Sequence, residues 1–253
     1  MMVQTSEKHW TDSQVSQHKI AADLLCKIMN GAFDFIRQNQ TVTEFEVQQF
    51  IQSKYKQYDM LEDVDPPIVA FRGSTANVHY FPQKDTTLTL IDGTLIMIDI
   101  WARLNEPDAP FADITWMAWH GGEVPAEIKK GFDIILKSRD VGMDFIRKRL
   151  ATNEIILNKD LGKATEGITL SSDIQDLIPH AYGHSLGTTS CHGNLGVIHS
   201  KSSTELLWQV GYTMEPGIYV DGKYGFRSEI DFYVNKNGKL EITTDVQRKL
   251  EIV

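Results

Sequence analysis

The stretch Thr94–Trp101, TLIMIDIW, decides how this chain is read. It is a continuous apolar, β-branched run of the kind that forms a buried strand, yet it carries one acid, Asp99. An ionised carboxylate in a core costs several kcal/mol unless it is paired or holds a metal. The same anomaly recurs downstream. Asp113 lies in FADITWMAW, Glu215 in YTMEPGIYV and Glu229 in GFRSEIDFYV, and an imidazole, His184, lies in AYGHSLG. Asp99 and Asp113 are fourteen residues apart, as are Glu215 and Glu229. Each pair suits two adjacent strands joined by a turn, RLNEPDAPF in the first and VDGKYGF in the second.

Four carboxylates brought together repel and raise one another's pKa values. Two divalent cations would cancel that charge, and an oxygen-rich set with one imidazole favours manganese, iron, cobalt or zinc. Such a pair of ions polarises a carbonyl and activates a water. The plainer reading is that each acid belongs to a turn or an edge and faces water.

Outward from these runs the pattern is helical. Ala21, Leu24, Leu25, Ile28, Ala32, Phe35 and Ile36 recur at steps of three and four and predict a helix over residues 15–37. TVTEFEVQQFIQSKY opens with Thr43 and has Glu46 three residues later, a capping box that starts a second helix. Gly73 marks a bend. Pro125 suits the first turn of a further helix, with Ile128, Phe132, Ile135 and Leu136 on its apolar face. That helix runs to Leu150, with Gly142 as a weak point. Residues 156–177 give no clear pattern, and from His180 the chain is glycine-dotted and strand-like. Helices first and strands after, twice, suggests an internal two-fold repeat. No Pro/Ser/Gly linker divides the halves, so residues 1–253 read as one domain.

Composition narrows the function. At 253 residues and 42% hydrophobic content the chain buries one large core. A net charge of −9 argues against a nucleic-acid partner. Two distant cysteines, Cys26 and Cys191, make no disulfide framework. The start, MMVQTSEKHWTDSQ, has no apolar segment of a signal peptide, and no apolar run is long enough for a membrane span. A reducing cytoplasm is the expected location.

The five acid- and histidine-bearing segments resemble, in order, the ligand motifs of the pita-bread metallopeptidases, the superfamily of methionine aminopeptidases, prolidases and aminopeptidases P. The family places its first Asp in a strand ending D-x-(G/W), its second in (S/A)DITR/W, its His in GHxxG, one Glu in EPGIY and the last in RxE. GSTANVHYFP is similar to G-x-N-A-x-x-HY-P of the proline-specific branch. The resemblance implies a curved antiparallel sheet of α/β (α+β) class, with helices on its outer face and pseudo-two-fold symmetry. It implies that Asp99 holds one metal, that Asp113 and Glu229 bridge both, and that His184 and Glu215 hold the second. Manganese is the foremost candidate. Glu215 would also shuttle a proton, and His79 would hydrogen-bond near the scissile amide.

Other positions follow the family less closely. The family's second substrate-facing His stands seven residues after the metal His. Here that residue is Cys191, and His192 is the eighth. A bulge in TTSCHGN would return His192 to the position; otherwise Cys191 fills it. Arg227, two residues before Glu229, is expected to organise the site. Tyr219 and Asp231 are either beside the site or simply buried, His180 is near it without an assigned task, and Trp101, Trp116 and Trp119 are core or pocket wall. The expected reaction is hydrolysis of the N-terminal bond of a short peptide or a protein N-terminus, with Xaa-Pro preferred. Many proline-specific members carry an extra N-terminal domain for which this chain lacks the length. Methionine specificity and a non-catalytic binding protein are the alternatives, and a homodimer is an expected assembly.

Overall fold

A computed structural model describes residues 9–172, 174 and 180–253. The reading of the chain start lies partly outside these residues, as does most of the end of segment 156–177. The first half runs α1 (Asp12–Gln38), α2 (Glu44–Gln57), β1 (Met60–Leu61), β2 (Ile68–Phe71), β3 (Thr94–Leu104) and β4 (Ala112–His120). The second runs α3 (Ala126–Ala151), α4 (Asn158–Leu170), β5 (His184–Leu186), β6 (His192–Val197), β7 (Gly211–Met214), β8 (Gly217–Val220), β9 (Tyr224–Arg227), β10 (Ile230–Val234) and β11 (Leu240–Ile242), and β12 (Glu251–Ile252) follows. Two helices followed by a sheet therefore recur. The strands form a five-stranded sheet of β1, β2, β3, β4 and β12, a second in the order β11-β10-β7-β5-β6, and the β8–β9 hairpin. Among the described residues the strand pairings are antiparallel except β12 on β4.

Local chemistry sets the helix ends. Thr43 accepts from the Glu46 amide, and the Glu46 carboxylate accepts from the Thr43 amide. Thr11 and Gln14 build an equivalent box that starts α1 three residues earlier than its apolar pattern. Pro125 stands at the N-cap of α3, just outside the helix. The expected weak point at Gly142 is not one: α3 passes through it unbroken. A Cβ there would lie 2.8 Å from Met214 Cε and 2.9 Å from Thr165 Oγ1. This glycine lets α3 approach α4 and β7 closely. The chain near Gly73 is a 3-10 turn, Arg72–Ala76.

β3 shows how one strand serves two purposes. Alternate side chains leave opposite faces. Ile96, Ile98 and Ile100 pack with Leu25, Ile28, Ala32 and Ile36 of α1. Leu95 and Met97 face Ile128, Phe132 and Ile135 of α3 instead. Each such side chain, fully buried, contributes about 1.5–3 kcal/mol. Asp99 continues the Leu95–Met97 face, where the helix cover ends and a cleft begins. Trp116 and Trp119 are core residues on opposite faces of β4, and Trp101 lines the cleft.

The outer edge of β4 is closed by two side chains, a backbone amide and a short strand. The Asp113 amide donates to Asp231 Oδ2, 2.8 Å, and Thr115 O accepts from the Glu229 amide, 3.2 Å. The Gln247 side chain takes both backbone groups of Met117, at 2.9 and 2.6 Å. β12 covers Ala118 and Trp119. This edge joins the two sheets. Among the described residues no helix is long and apolar enough to cross a membrane.

Candidate metal centre

Asp99, Asp113, His184, Glu215 and Glu229 converge on one cleft of about 510 Å³, which His79, His180, His192 and Arg227 also line. β3 and β4 pair with Asp99 opposite Thr115 and Trp101 opposite Asp113, so both acids stand on the inner face. Their connection runs through RLNEPDAPF as the spacing implies. The second pair differs from its expectation. Glu215 and Glu229 lie in the breaks between β7 and β8 and between β9 and β10, outside the strands. Met214 pairs with Ile230 and Gly217 with Arg227, so the two breaks face each other and present both acids inward. The β8–β9 hairpin projects from these breaks.

The groups are close. His184 Nε2 lies 3.7 Å from Asp113 Oδ2 and 3.4 Å from Glu215 Oε1. Asp113, His184 and Glu229 each bring a ligand atom within 4.8 Å of the others. Thr213 donates to Glu215 Oε1, 3.2 Å, and accepts the His184 amide, 3.1 Å. Arg227 donates through Nη2 to Asp99 Oδ2 and through Nε to Thr115 Oγ1, 3.2 Å; Thr115 in turn donates to Glu229 Oε2, 2.7 Å. One arginine and one threonine thus tie Asp99 to Glu229. Asp231 is bonded, not merely buried, because it holds the Asp113 backbone. Tyr219 shares its hydroxyl with His180 Nε2, 2.7 Å, and Arg227 Nη1, 3.4 Å. His180 Nδ1 also lies 3.7 Å from Glu215 Oε2.

The electrostatics suit the binding of a cation. Buried oxygens of Asp99 (Oδ1), Asp113 (Oδ1) and Glu229 (Oε1) have no hydrogen-bond donor among the described residues. Such orphaned acceptors are costly. Burial, then the charge of Asp99, pushes Asp113 well above the usual carboxylate range; burial and Asp113 do the same to Glu229. Burial raises Glu215 to about 8 against the pull of Arg227. Burial and the neighbouring His192 push His184 down to about 3, leaving the neutral imidazole that binds metals. Hard divalent cations suit this oxygen-rich donor set and the orphaned oxygens.

The flanks are held from outside the cluster. His79 stands on the exposed loop after the 3-10 turn, and its neighbour Tyr80 donates to buried Glu44, 2.7 Å. Glu44 also accepts the amides of Phe71, 2.7 Å, and Leu88, 2.8 Å, so one carboxylate closes both ends of that loop. The His192 ring meets the His184 ring edge-on at 4.1 Å. Cys191 Sγ donates to Asp113 Oδ2, so Cys191 and His192 both reach the site. Buried Arg139 of α3 donates to Ser228 Oγ and Gln247 O, both 2.8 Å, and so braces the segment between Arg227 and Glu229. Sequence reasoning missed Glu44, Thr115, Arg139 and Thr213. Glu44 reads there as an ordinary first-turn acid of a helix, and the others as unremarked members of their elements.

The family model described as metallopeptidase family M24 matches residues 16–236. An uncharacterized peptidase of Staphylococcus saprophyticus is 24% identical over 243 residues, covering 92% of this chain and 62% of that protein. A prolidase from Thermococcus sibiricus superposes with a TM-score of 0.83 at 23% identity, covering 97% of this chain and 62% of that one. An X-prolyl aminopeptidase from Caenorhabditis elegans, described as a cytosolic enzyme with a di-nuclear active site, gives 0.74 at 20% identity, covering 97% and 41%. At these identities the solved structures speak for the pita-bread fold. The chain spans about 62% of the length of this curated relative. On the family match across both halves of the fold, the chain belongs to metallopeptidase family M24.

Proposed function

We propose that the cleft is a dinuclear metallopeptidase site that removes the N-terminal residue of short peptides, with proline preferred after the cut. The observation that carries this is the set of buried, donor-less carboxylate oxygens on Asp99, Asp113 and Glu229 beside a neutral His184. Asp99 would hold one ion, Asp113 and Glu229 both, and His184 and Glu215 the second. Bound there, two divalent ions, manganese foremost, supply Lewis acidity that polarises a carbonyl and makes water nucleophilic near neutral pH. Glu215 is 12% exposed at its side chain, on the cleft side of the cluster. It takes the proton from the attacking water and returns it to the leaving nitrogen. His79, on the exposed loop, donates to the scissile amide region. Arg227 holds Asp99 and, through Thr115, Glu229 in a fixed relation. The loop GSTANVHYFP and the FRSEID segment support the proline preference.

The test is Glu215→Gln, which keeps the shape and one oxygen but removes the ionisable carboxylate. It should bind metal at least in part while kcat falls about 10²–10⁴-fold. An Ala-Pro or Met-Pro peptide should be cut faster by the manganese form than Met-Ala-Ser. Full activity in the metal-bound variant removes Glu215 from the proton transfer. A clear win for Met-Ala-Ser replaces the proline reading with methionine removal, and a metal-loaded protein that cuts neither is a binding protein.

A further inference from the structure

His192 stands eight residues after His184, directly behind the turn that joins β5 to β6. β5 and β6 pair Leu186 with His192 and His184 with Val197, so the ladder opens at His192 and its register shift falls after that residue. The turn between them is tight. The Gly187 amide donates to Cys191 O, 3.1 Å, and a Cβ on Gly187 would lie 2.3 Å from Ser190 O. The turn is also tied to the other half of the molecule. Asp63, in the connection between β1 and β2, accepts through Oδ2 from the Cys191 amide, 2.6 Å, and the Ser190 hydroxyl, 2.8 Å. Its other oxygen accepts from the Val64 amide, 2.7 Å, so the carboxylate is itself oriented. These bonds hold Asp63 below the ordinary Asp range, although its partial burial opposes them.

We propose that Asp63 is a positioning residue: by anchoring Ser190 and Cys191 it sets where the His192 ring stands against His184. The proposal deepens the peptidase reading and rests on it for its kinetic consequence. Cys191 lies in the turn just before β6, where its amide has no ladder partner from β5. Here the Cys191 amide finds its acceptor on Asp63 in place of a strand partner. Without that acceptor the turn loses its attachment to the first half, and His192, which follows at once, loses its fixed place. Substrate-side groups are sensitive to this, since a displacement of about 1 Å can cost about 100-fold in rate. Asp63 lines the same cleft as the five candidate ligands, but its side-chain hydrogen bonds go to Val64, Ser190 and Cys191. It acts through the turn.

The experiment is a double-mutant cycle of Asp63→Ala and His192→Ala in the manganese-loaded protein, with metal content measured alongside. Ser190→Ala, which removes one of the two anchoring donors, is a milder second variant should Asp63→Ala fold poorly. Expected at saturating manganese are full metal content, a fall in kcat/KM of about 10- to 100-fold for Asp63→Ala, and little further loss when His192→Ala is added. Asp63→Asn, which keeps an acceptor, should recover most of the activity. Losses that multiply independently overturn the proposal, as does full activity in Asp63→Ala. The ring signals of His192 in a histidine-labelled sample give a second readout: they should shift in Asp63→Ala and in Ser190→Ala while those of His79 stay in place. If the wild type cleaves no peptide, the peptidase reading falls, and Asp63 is judged on the ring signals alone. Unmoved His192 signals then overturn its role.

Discussion

Cys191 Sγ lies 3.0 Å from Asp113 Oδ2, so a buried thiol supplies the donor to a carboxylate at the centre of the cluster. Asp113 then keeps one oxygen satisfied by protein and one without a donor. Burial and the charge of Asp113 push the thiol pKa well up, so it stays protonated and acts as a donor. Cys191→Ala removes this donor and should weaken manganese binding about 10- to 100-fold, the usual cost of losing an outer partner of a metal ligand. Cys191→Ser keeps a donor and should stay near the wild type. Calorimetric titration of both variants decides it, and equal affinity for Cys191→Ala and wild type counts against the bond.

Glu44 is a second carboxylate that organises backbone. Its three acceptor bonds come from Phe71, Tyr80 and Leu88. A lost partner in a buried set costs about 1–3 kcal/mol per stranded group. Glu44→Ala should therefore unfold at clearly lower urea, by about 3 kcal/mol or more, and should raise KM through the loosened His79 loop. Tyr80→Phe, which removes one bond, should cost about 1 kcal/mol. A Glu44→Ala protein as stable as wild type would falsify this account.

Removal of the metals should lower the melting temperature at neutral pH, because an ion bound only by the folded state stabilises it. The pH dependence has a definite sign. Without metal, Glu215 is raised to about 8 in the folded protein, and Asp113 and Glu229 are raised as well. A raised folded pKa means stability that is full below the unfolded value and is lost as pH rises through the folded one. The metal-free protein should thus weaken from about pH 4.5 to pH 8. In the loaded protein, protons displace metal as pH falls. The gap in Tm between loaded and chelated protein should therefore widen from pH 5 to pH 8. A constant gap would remove these carboxylates as its source.

His18 offers a second pH signature behind the cleft, its Nε2 4.0 Å from Asp231 Oδ2. It is fully buried between Phe111 O, 2.9 Å, and Thr243 Oγ1, 2.7 Å. Burial lowers its pKa to about 4; the bond to Phe111 opposes this and the Lys19 charge adds to it. The unfolded chain takes up the proton near pH 6.5, so this contribution is full above that value and is lost as pH falls from 6.5 toward 4. By pH 5 the loss is about 2 kcal/mol. Urea midpoints of wild type and His18→Gln should converge by this amount between pH 7.5 and pH 5. Parallel curves would show that His18 carries its proton in the folded state.

Single acids inside continuous apolar runs made part of the site legible in the sequence. Leu95, Met97, Asp99 and Trp101 share one face, and an acid continuing an apolar stripe announces a place where the core opens. Glu215 and Glu229 were legible only as acids within strand-like runs. Pro216-Gly217 does mark the first break, since Pro-Gly interrupts a strand, but Ser228-Glu229 gives no mark for the second. Gly142 was misread because a local scale sees a helix breaker, whereas the deciding contact, Met214, lies far along the chain. Asp63 and Glu44 were illegible for a related reason. Each acts on backbone far from it in sequence, across 128 residues for Asp63 and Cys191, and no periodicity records such a bond. The position of His192 needed the structure, since the group that ties down its turn, Asp63, lies in the other half of the chain.

The closed edge of β4 has a consequence for solubility. A strand with free amides and carbonyls on one side invites a strand from another molecule. On β4 those groups are occupied by Asp231, Glu229, Gln247 and β12, and two of these lie within two residues of the cleft or in it. The contacts that assemble the cluster are therefore also the ones that deny β4 to a neighbour. Substitutions such as Asp231→Leu or Gln247→Leu should reveal themselves first as aggregation during expression, and only afterwards, in whatever protein stays in solution, as a defect at the site.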